Sequence, residues 1–207
     1  LRNNDKIDPT NIYHYIAVDG YSALERALSS MMPDDVLNEV DKANLRGRGG
    51  AGFPAGKKWK HSKSDKGKIK FVIANGDEGD PGAFMDRSIM EGDPHSLFEG
   101  MLLCAYSIGA KYGLIYVRHE YPLAVKHLRH AIKQAEELGL LGRNILGTDF
   151  SFTLDVREGA GAFVCGESTA LVASIEGERG FPRPRPPRLS ETGGGVWGYP
   201  SNLNNIE

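Results

Sequence analysis

Three short β-branched runs, separated by stretches long enough to hold a helix, constrain the fold of this chain most. They are Lys70-Phe71-Val72-Ile73-Ala74, Gly113-Leu114-Ile115-Tyr116-Val117-Arg118 and Phe152-Thr153-Leu154-Asp155-Val156. Branched and aromatic side chains suit a pleated surface, so each run predicts a buried strand. Between them the pattern turns helical. Asp93-Pro94 predicts a helix start, with Asp as N-cap and Pro at the first helical position. Its body, Leu97 to Ile108, is apolar nearly all round and should be buried. Pro122 opens a second helix, in which Ala124, Leu128, Ala131, Ile132, Ala135 and Leu138 recur at helical spacing before Gly139 stops it. A third is predicted over Glu167 to Glu176. Strands alternating with helices imply an α/β architecture: a mainly parallel sheet with flanking helices.

The rest of the chain divides more coarsely. Residues 1–44 predict a helical N-terminal extension, with starts at Gly20-Tyr21-Ser22 and Pro33-Asp34-Asp35. Residues 45–58 form a Gly-rich loop, and Lys60 to Lys68 predict a polar, solvated excursion. Beyond Gly177 a Pro/Arg-rich segment, Phe181 to Arg188, leads to a Gly triplet and Trp197. No internal repeat is visible. Of 207 residues, 25 are Lys or Arg and 27 Asp or Glu, a net charge of −2 that argues against a nucleic-acid partner. Apolar residues make up 40 % and charged residues 25 %, a globular composition. The longest apolar stretch, Met101 to Ala105, is too short to cross a bilayer, so no membrane insertion is expected. No hydrophobic leader is visible, and a cytoplasmic location is predicted. Cys104 and Cys165 are too few for a disulfide framework or a cluster-binding set, and no metal ligands are assigned. The first residue is Leu1 and the last are Asn205-Ile206-Glu207, which suggests a piece of a longer protein.

Glycine is in excess, 26 residues against about 14 at average usage, and it gathers in three loops. Gly47-Arg48-Gly49-Gly50-Ala51-Gly52 has the letters of a dinucleotide fingerprint but lacks the strand before and helix after. With Lys57 and Lys58 downstream it suits a phosphate held by backbone N–H groups. Asn75, Asp77, Glu78 and Asp80 cluster after the first strand. A calcium loop is disfavoured, because the helix–loop–helix frame is missing and Asp86 stands where a Glu is needed. The alternative is that these groups accept hydrogen bonds from a ligand's hydroxyls or ring N–H at the open end of the sheet. The third loop, Gly159 to Glu167, links strand to helix. Its helix start should offer free N–H groups to an electron-rich ligand edge, and Phe163 could stack on a planar ring. Cys165 is expected to be a packed thiol, and His127 and His130 to lie solvated on a basic helix face.

Together these motifs are recognisable: Leu45 to Pro54, Lys58-Trp59, Asn75-Gly76-Asp77-Glu78, Gly159 to Phe163, Cys165-Gly166-Glu167, Ile175-Glu176-Gly177, Pro182 to Pro187, and Asn204-Asn205. In order and over most of the chain they resemble the FMN-binding core of the NADH dehydrogenase flavoprotein subunit family, the 51 kDa type of respiratory complex I. The lead-in Ile7-Asp8-Pro9 and Asp19-Gly20-Tyr21 is more similar to the soluble relatives in NAD(P)-linked hydrogenases and formate dehydrogenases. The resemblance implies a Rossmann-like FMN- and NAD(P)H-binding domain over residues 45–207. It implies a diaphorase: hydride passes from NADH or NADPH to FMN at about 3–3.5 Å, and electrons leave singly to iron–sulfur clusters.

By position, the resemblance assigns FMN to Gly47, Arg48, Gly49, Gly50, Lys58, Asn75, Asp77, Glu78, Gly166, Glu167, Asn204 and Asn205, with Glu78 and Glu167 near the flavin. It assigns the nucleotide substrate to Phe53, Asp80, Phe163 and Arg185. The family's full subunit continues into a ubiquitin-like domain and a [4Fe–4S] domain beyond residue 207, so this stretch alone is not expected to pass electrons onward. Implied partners are a [2Fe–2S] thioredoxin-like subunit or domain and a larger hydrogenase, formate dehydrogenase or NADH dehydrogenase complex. The chain departs from the respiratory pattern at His61, Phe163, Ser168 and Arg188. Loss of a carboxylate at Ser168 and gain of a guanidinium at Arg188 reduce repulsion toward a 2′-phosphate, so NADPH is expected to be tolerated or preferred compared with the respiratory relatives. The competing view is that Arg188 is simply solvated. A catalytically silent scaffold that docks an iron–sulfur partner is the alternative function. A nucleotide transferase, for which Asp77 and Glu78 are the local candidate bases, ranks below it.

Overall fold

The computed structural model describes residues 2–207. Three helices come first: α1 (Ile12–Ala17), α2 (Ser22–Ser30) and α3 (Pro33–Lys42). After the glycine loop come α4 (Ala55–Ser64), β1 (Phe71–Gly76), α5 (Met85–Gly92), α6 (Pro94–Ile108), β2 (Tyr112–Arg118) and α7 (Pro122–Glu137). The chain ends with β3 (Thr153–Gly159), α8 (Ser168–Ile175) and β4 (Ser201–Asn205).

All four strands are parallel, in the order β3-β2-β1-β4. The alternation of side chains along each strand supplies two cores. Val72, Ala74, Ile115, Val117, Leu154 and Val156 join the apolar faces of α6 and α7. Phe71, Ile73, Leu114, Tyr116 and Leu203 face the other way, onto Leu171, Val172 and Ile175 of α8. From β1 the chain winds through β2 to β3, then returns to place β4 on the far side of β1. Winding therefore reverses between β1 and β4, and a crevice is expected at the carboxyl ends of those strands.

The N-terminal helices share the α6 core through Ile12, Tyr15, Leu24 and Leu37. A buried carboxylate anchors them: Glu99 of α6 accepts from the Tyr15 hydroxyl (2.7 Å), Tyr21 N–H (2.9 Å) and Leu24 N–H (3.1 Å).

Several expectations need correction. Lys60 to Ser64 are not a solvated excursion but the second half of α4, and Ala55 to Lys58 belong to its start rather than to the loop. The inward positions of α4 are Ala55, Gly56, Trp59 and Ser62, mostly small or polar, so apolar periodicity could not reveal it. β4 also carries no clear periodic signal; it is Ser-Asn-Leu-Asn-Asn, a polar composition for a strand. Asp93 stands before α6 without capping it; its carboxylate instead accepts from Asn3 Nδ2 at 2.9 Å. His130 is exposed as expected, although it bonds the Thr10 carbonyl (3.0 Å), whereas His127 is partly buried and bonds the Glu91 carbonyl (2.7 Å). Both cysteines are buried, and burial pushes the Cys104 thiol up to about 12.

Gly56 shows how close α3 and α4 run. A Cβ there would lie 2.8 Å from the Asp41 Cα, so backbone would have to move. Gly56→Ala is expected to destabilise the chain by about 1–3 kcal/mol, although Ala is the better helix former by about 1 kcal/mol. The urea midpoint should fall with the m value unchanged; an unchanged midpoint would show that the two helices can separate freely.

Candidate functional site

The crevice predicted by the topology is where the three glycine loops meet. Asn75 and Asn205 are register partners at the ends of β1 and β4. Asn205 Oδ1 accepts from the Arg48 N–H at 2.8 Å, tying the first loop to β4. Gly47 and Gly49 neighbour the Asn205 amide, where an added Cβ would make ordinary contact at 3.5 and 3.4 Å. Asn75 Nδ2 donates to the Gly166 carbonyl (3.1 Å), and its Oδ1 accepts from Asp77 N–H (3.0 Å), joining the second and third loops. Gly79 lies against the ring of Phe163, where a Cβ would come within 2.5 Å of Cδ2.

The first loop is closed at its base by Gly47 N–H to Phe53 O (2.9 Å) and Ala55 N–H to Leu45 O (2.8 Å). Gly50 (φ +91°) and Gly52 (φ +57°) bend it through left-handed backbone that side chains disfavour. The N–H groups of residues 49–52 make no hydrogen bond among the described residues, leaving a run of donors suited to an anion. Lys58, just inside α4, donates to the Leu203 carbonyl at 2.8 Å, and burial lowers its pKa.

Asp77 is the most unusual group in the crevice. Its side chain is 1 % exposed, yet neither carboxylate oxygen has a hydrogen-bond donor among the described residues. Arg118 Nε approaches only to 3.9 Å. Burial raises the Asp77 pKa to about 6, against the pull of Arg118. A buried carboxylate without donors is costly unless a ligand supplies them.

Other assigned residues are placed differently from the simplest expectation. Glu78 turns its carboxylate to the start of α5, accepting from Asp86 N–H (3.0 Å) and Arg87 N–H (3.1 Å). Glu167 caps α8, accepting from Thr169 N–H (2.7 Å) and Ala170 N–H (3.1 Å). The free N–H groups expected at that helix start are therefore occupied by the chain's own carboxylate. Burial alone would raise the Glu167 pKa, but the Thr169 and Ala170 bonds and Arg185 hold it below the usual range. Arg185 Nη2 sits 2.7 Å from Glu167 Oε1. Asp80 is exposed, and no side-chain partner holds it among the described residues. Asn204, paired with Ala74 in register, lines a cavity of about 380 Å³ with Gly47 and Trp59.

Phe53 (42 % exposed) and Phe163 (69 % exposed) hold aromatic rings open to solvent beside the crevice. A second cavity, about 570 Å³, is lined by Phe53, Lys57, Lys58, His61, Arg185 and Arg188, with no carboxylate residue in its lining. Among the described residues the Arg188 guanidinium meets only Glu191, at 4.0 Å. Sequence reasoning missed Arg118 and Tyr121, which both donate to the Glu78 carbonyl, at 2.7 and 3.3 Å. The signal was available: Arg118 ends a predicted strand, at the open carboxyl end of the sheet.

Comparison with known proteins places the chain in a family. The chain is 50 % identical over 206 residues to the NADP-reducing hydrogenase subunit HndC of Solidesulfovibrio fructosivorans, covering all of this chain and 41 % of that one. It is 49 % identical over 197 residues to an NADH-quinone oxidoreductase subunit of Aquifex aeolicus, covering 95 % of this chain and 45 % of the relative. The chain thus spans less than half the length of these relatives. Among solved structures, the NAD+-reducing [NiFe]-hydrogenase in the H2-reduced state superposes with a TM-score of 0.78 at 35 % identity, covering 99 % of this chain and 32 % of that one. The air-oxidised state of such a hydrogenase gives 0.74 at 40 % identity, over 84 % of this chain and 28 % of that one. The Nuo51 FMN-binding domain matches residues 40–207, and the chain belongs to that family.

Proposed function

We propose that this chain is the part of a larger NAD(P)H-oxidising flavoprotein that holds FMN and presents it to the nicotinamide nucleotide. The observation that carries this reading is Asp77, with two buried acceptor atoms without donors at the strand ends, together with a first glycine loop, tied to β4 through Asn205, whose N–H groups are also unpaired among the described residues. FMN has complementary parts, with hydroxyls and a ring N–H to satisfy an acceptor and a phosphate to satisfy donors. The residues fit the group. Hydride acceptance and stepwise one-electron release are the chemistry FMN supplies when bound.

The chain's own residues bind and orient. Gly47, Arg48, Gly49 and Gly50, with Lys58, form the phosphate cradle, and the helix start at Ala55 adds a favourable partial charge. Asn75, Asp77 and Gly166, with Asn204 and Asn205, supply the polar edge for the ribityl chain and ring. Phe53 and Phe163 offer faces for the substrate's rings, while Arg185 and Arg188 attract its phosphates. Glu78 and Glu167 act from the helix starts they cap. A [2Fe–2S] thioredoxin-like partner and a larger hydrogenase, formate dehydrogenase or NADH dehydrogenase assembly complete the electron path, with a further [4Fe–4S] domain following in the full chain. A cytoplasmic location suits this assignment; among the described residues no helix is long and apolar enough to cross a membrane.

NADPH is favoured over NADH by the 570 Å³ cavity, whose lining carries Lys57, Lys58, His61, Arg185 and Arg188 in a chain of net charge −2. Lys57 and His61 make no side-chain hydrogen bond or ion pair among the described residues, and are free to meet a 2′-phosphate. In the full chain, flavin fluorescence should be quenched on binding, and NADPH should bleach the flavin band without oxygen. A chain that binds FMN but is bleached by neither nucleotide is the silent scaffold instead. Arg188→Glu is expected to weaken 2′,5′-ADP about tenfold, the value of one charge-assisted hydrogen bond, and to leave 5′-ADP unchanged. Equal weakening of both would remove the case for NADPH.

A further inference from the structure

We infer that Arg118 is a positioning residue for flavin binding, acting through Asp77 and the loop after β1. This rests on the FMN assignment above and adds a residue to it. Arg118 ends β2, next to the Gly76–Val117 register pair, and its guanidinium is 17 % exposed. It reaches three groups at once. Nη1 donates to the Glu78 carbonyl at 2.7 Å, Nη2 bonds Glu120 at 2.8 Å, and Nε faces Asp77 Oδ1 at 3.9 Å with no acceptor of its own.

The geometry gives Arg118 two separable effects. The first is mechanical: with the Tyr121 hydroxyl it pins the Glu78 peptide, and so the turn that carries Asp77 into the crevice. The second is electrostatic. The groups that bear on Asp77 are Arg118 and Glu120 from the β2 end, the Tyr116 hydroxyl on β2, the backbone at Gly166, and Asn75 on its own loop. Arg118 is the one cation among them, and Glu120 opposes it. A carboxylate removed from water needs such a charge to stay ionised. Only the ionised form offers all its lone pairs to a ligand's hydroxyl and N–H groups. Arg118 thus keeps Asp77 an acceptor at neutral pH without itself needing to touch the ligand.

The test is flavin affinity against pH, from pH 5 to 9, in the full chain freed of flavin. Fluorescence quenching would be read for FMN, and for riboflavin, which lacks the phosphate that itself titrates near pH 6. Wild-type affinity should rise through about pH 6, as Asp77 ionises. Arg118→Gln should move that midpoint up by about one pH unit or more. Arg118→Lys, which retains the charge and disturbs folding least, should leave it within about half a unit. In an Asp77→Asn background the midpoint should vanish, and Arg118→Gln should then leave the pH profile unaltered. A midpoint left unmoved in Arg118→Gln, or one displaced in Arg118→Lys as far as in Arg118→Gln, overturns the inference while leaving the FMN assignment intact. Absence of quenching in the wild type removes that assignment and the inference with it.

Discussion

Asp77→Asn is expected to make the flavin-free chain more stable while weakening FMN binding by about 10- to 100-fold, the worth of one or two charge-assisted hydrogen bonds. The stability side follows from linkage. Burial raises the carboxyl from 3.8 to about 6 in the folded state, so the native chain holds its proton more tightly than the unfolded one. Stability therefore falls as pH rises from about 4 to about 6 and stays at the lower level above that. The difference amounts to about 3 kcal/mol at neutral pH. An uncharged amide of the same shape avoids it. Denaturant melts of the two chains should coincide near pH 4 and separate by pH 7, with the variant the more stable. Parallel curves at all pH values would mean that Asp77 finds solvent or a partner in solution, and the case for a ligand-seeking carboxylate would weaken.

Glu99→Ala is the largest loss expected anywhere in the chain, about 3–5 kcal/mol. Its carboxylate is the shared acceptor for the Tyr15 hydroxyl and the N–H groups of Tyr21 and Leu24, and all of these are buried. Removing it strands three donors and unties α1 and α2 from α6. Hydrogen exchange should report the damage locally, with the amides of Tyr21 and Leu24 losing protection while those of β1 and β2 change little. Glu99→Gln retains one carbonyl and should lose less. If Glu99→Ala melts within about one degree of wild type, the N-terminal helices are held by apolar contacts alone. Flavin binding is expected to survive this substitution, because the crevice lies at the strand ends, whereas Glu99 serves the opposite flank of α6.

The contrast between these two carboxylates bears on what a sequence can tell. Both are single acids in ordinary local contexts. Glu99 sits inside a helix whose neighbours are apolar, so its burial is legible, but its donors come from residues more than 70 positions away. Asp77 lies in a loop whose composition already suggests ligand binding, but nothing local distinguishes it from Glu78 and Asp80. The fold separates the three: one is buried without donors, one caps α5 and one is exposed. Similarly, the position of Glu167 at a helix start can be read locally, while its pairing with Arg185 depends on a segment 18 residues further on.

The amino-acid sequence by itself determined the central strands, the long helices α6 and α7, the three glycine loops and the family, because these rest on local periodicity, turn chemistry and ordered motifs. Tertiary structure alone decided that α4 is a helix, since its buried face is built largely from Ala, Gly and Ser packed against backbone rather than from an apolar stripe. It also decided that β4 joins the sheet beside β1, creating the switch point, and that Arg118 stands over Asp77. Those outcomes depend on which surfaces meet, and close approach and burial are properties of pairs of segments that neither segment carries alone.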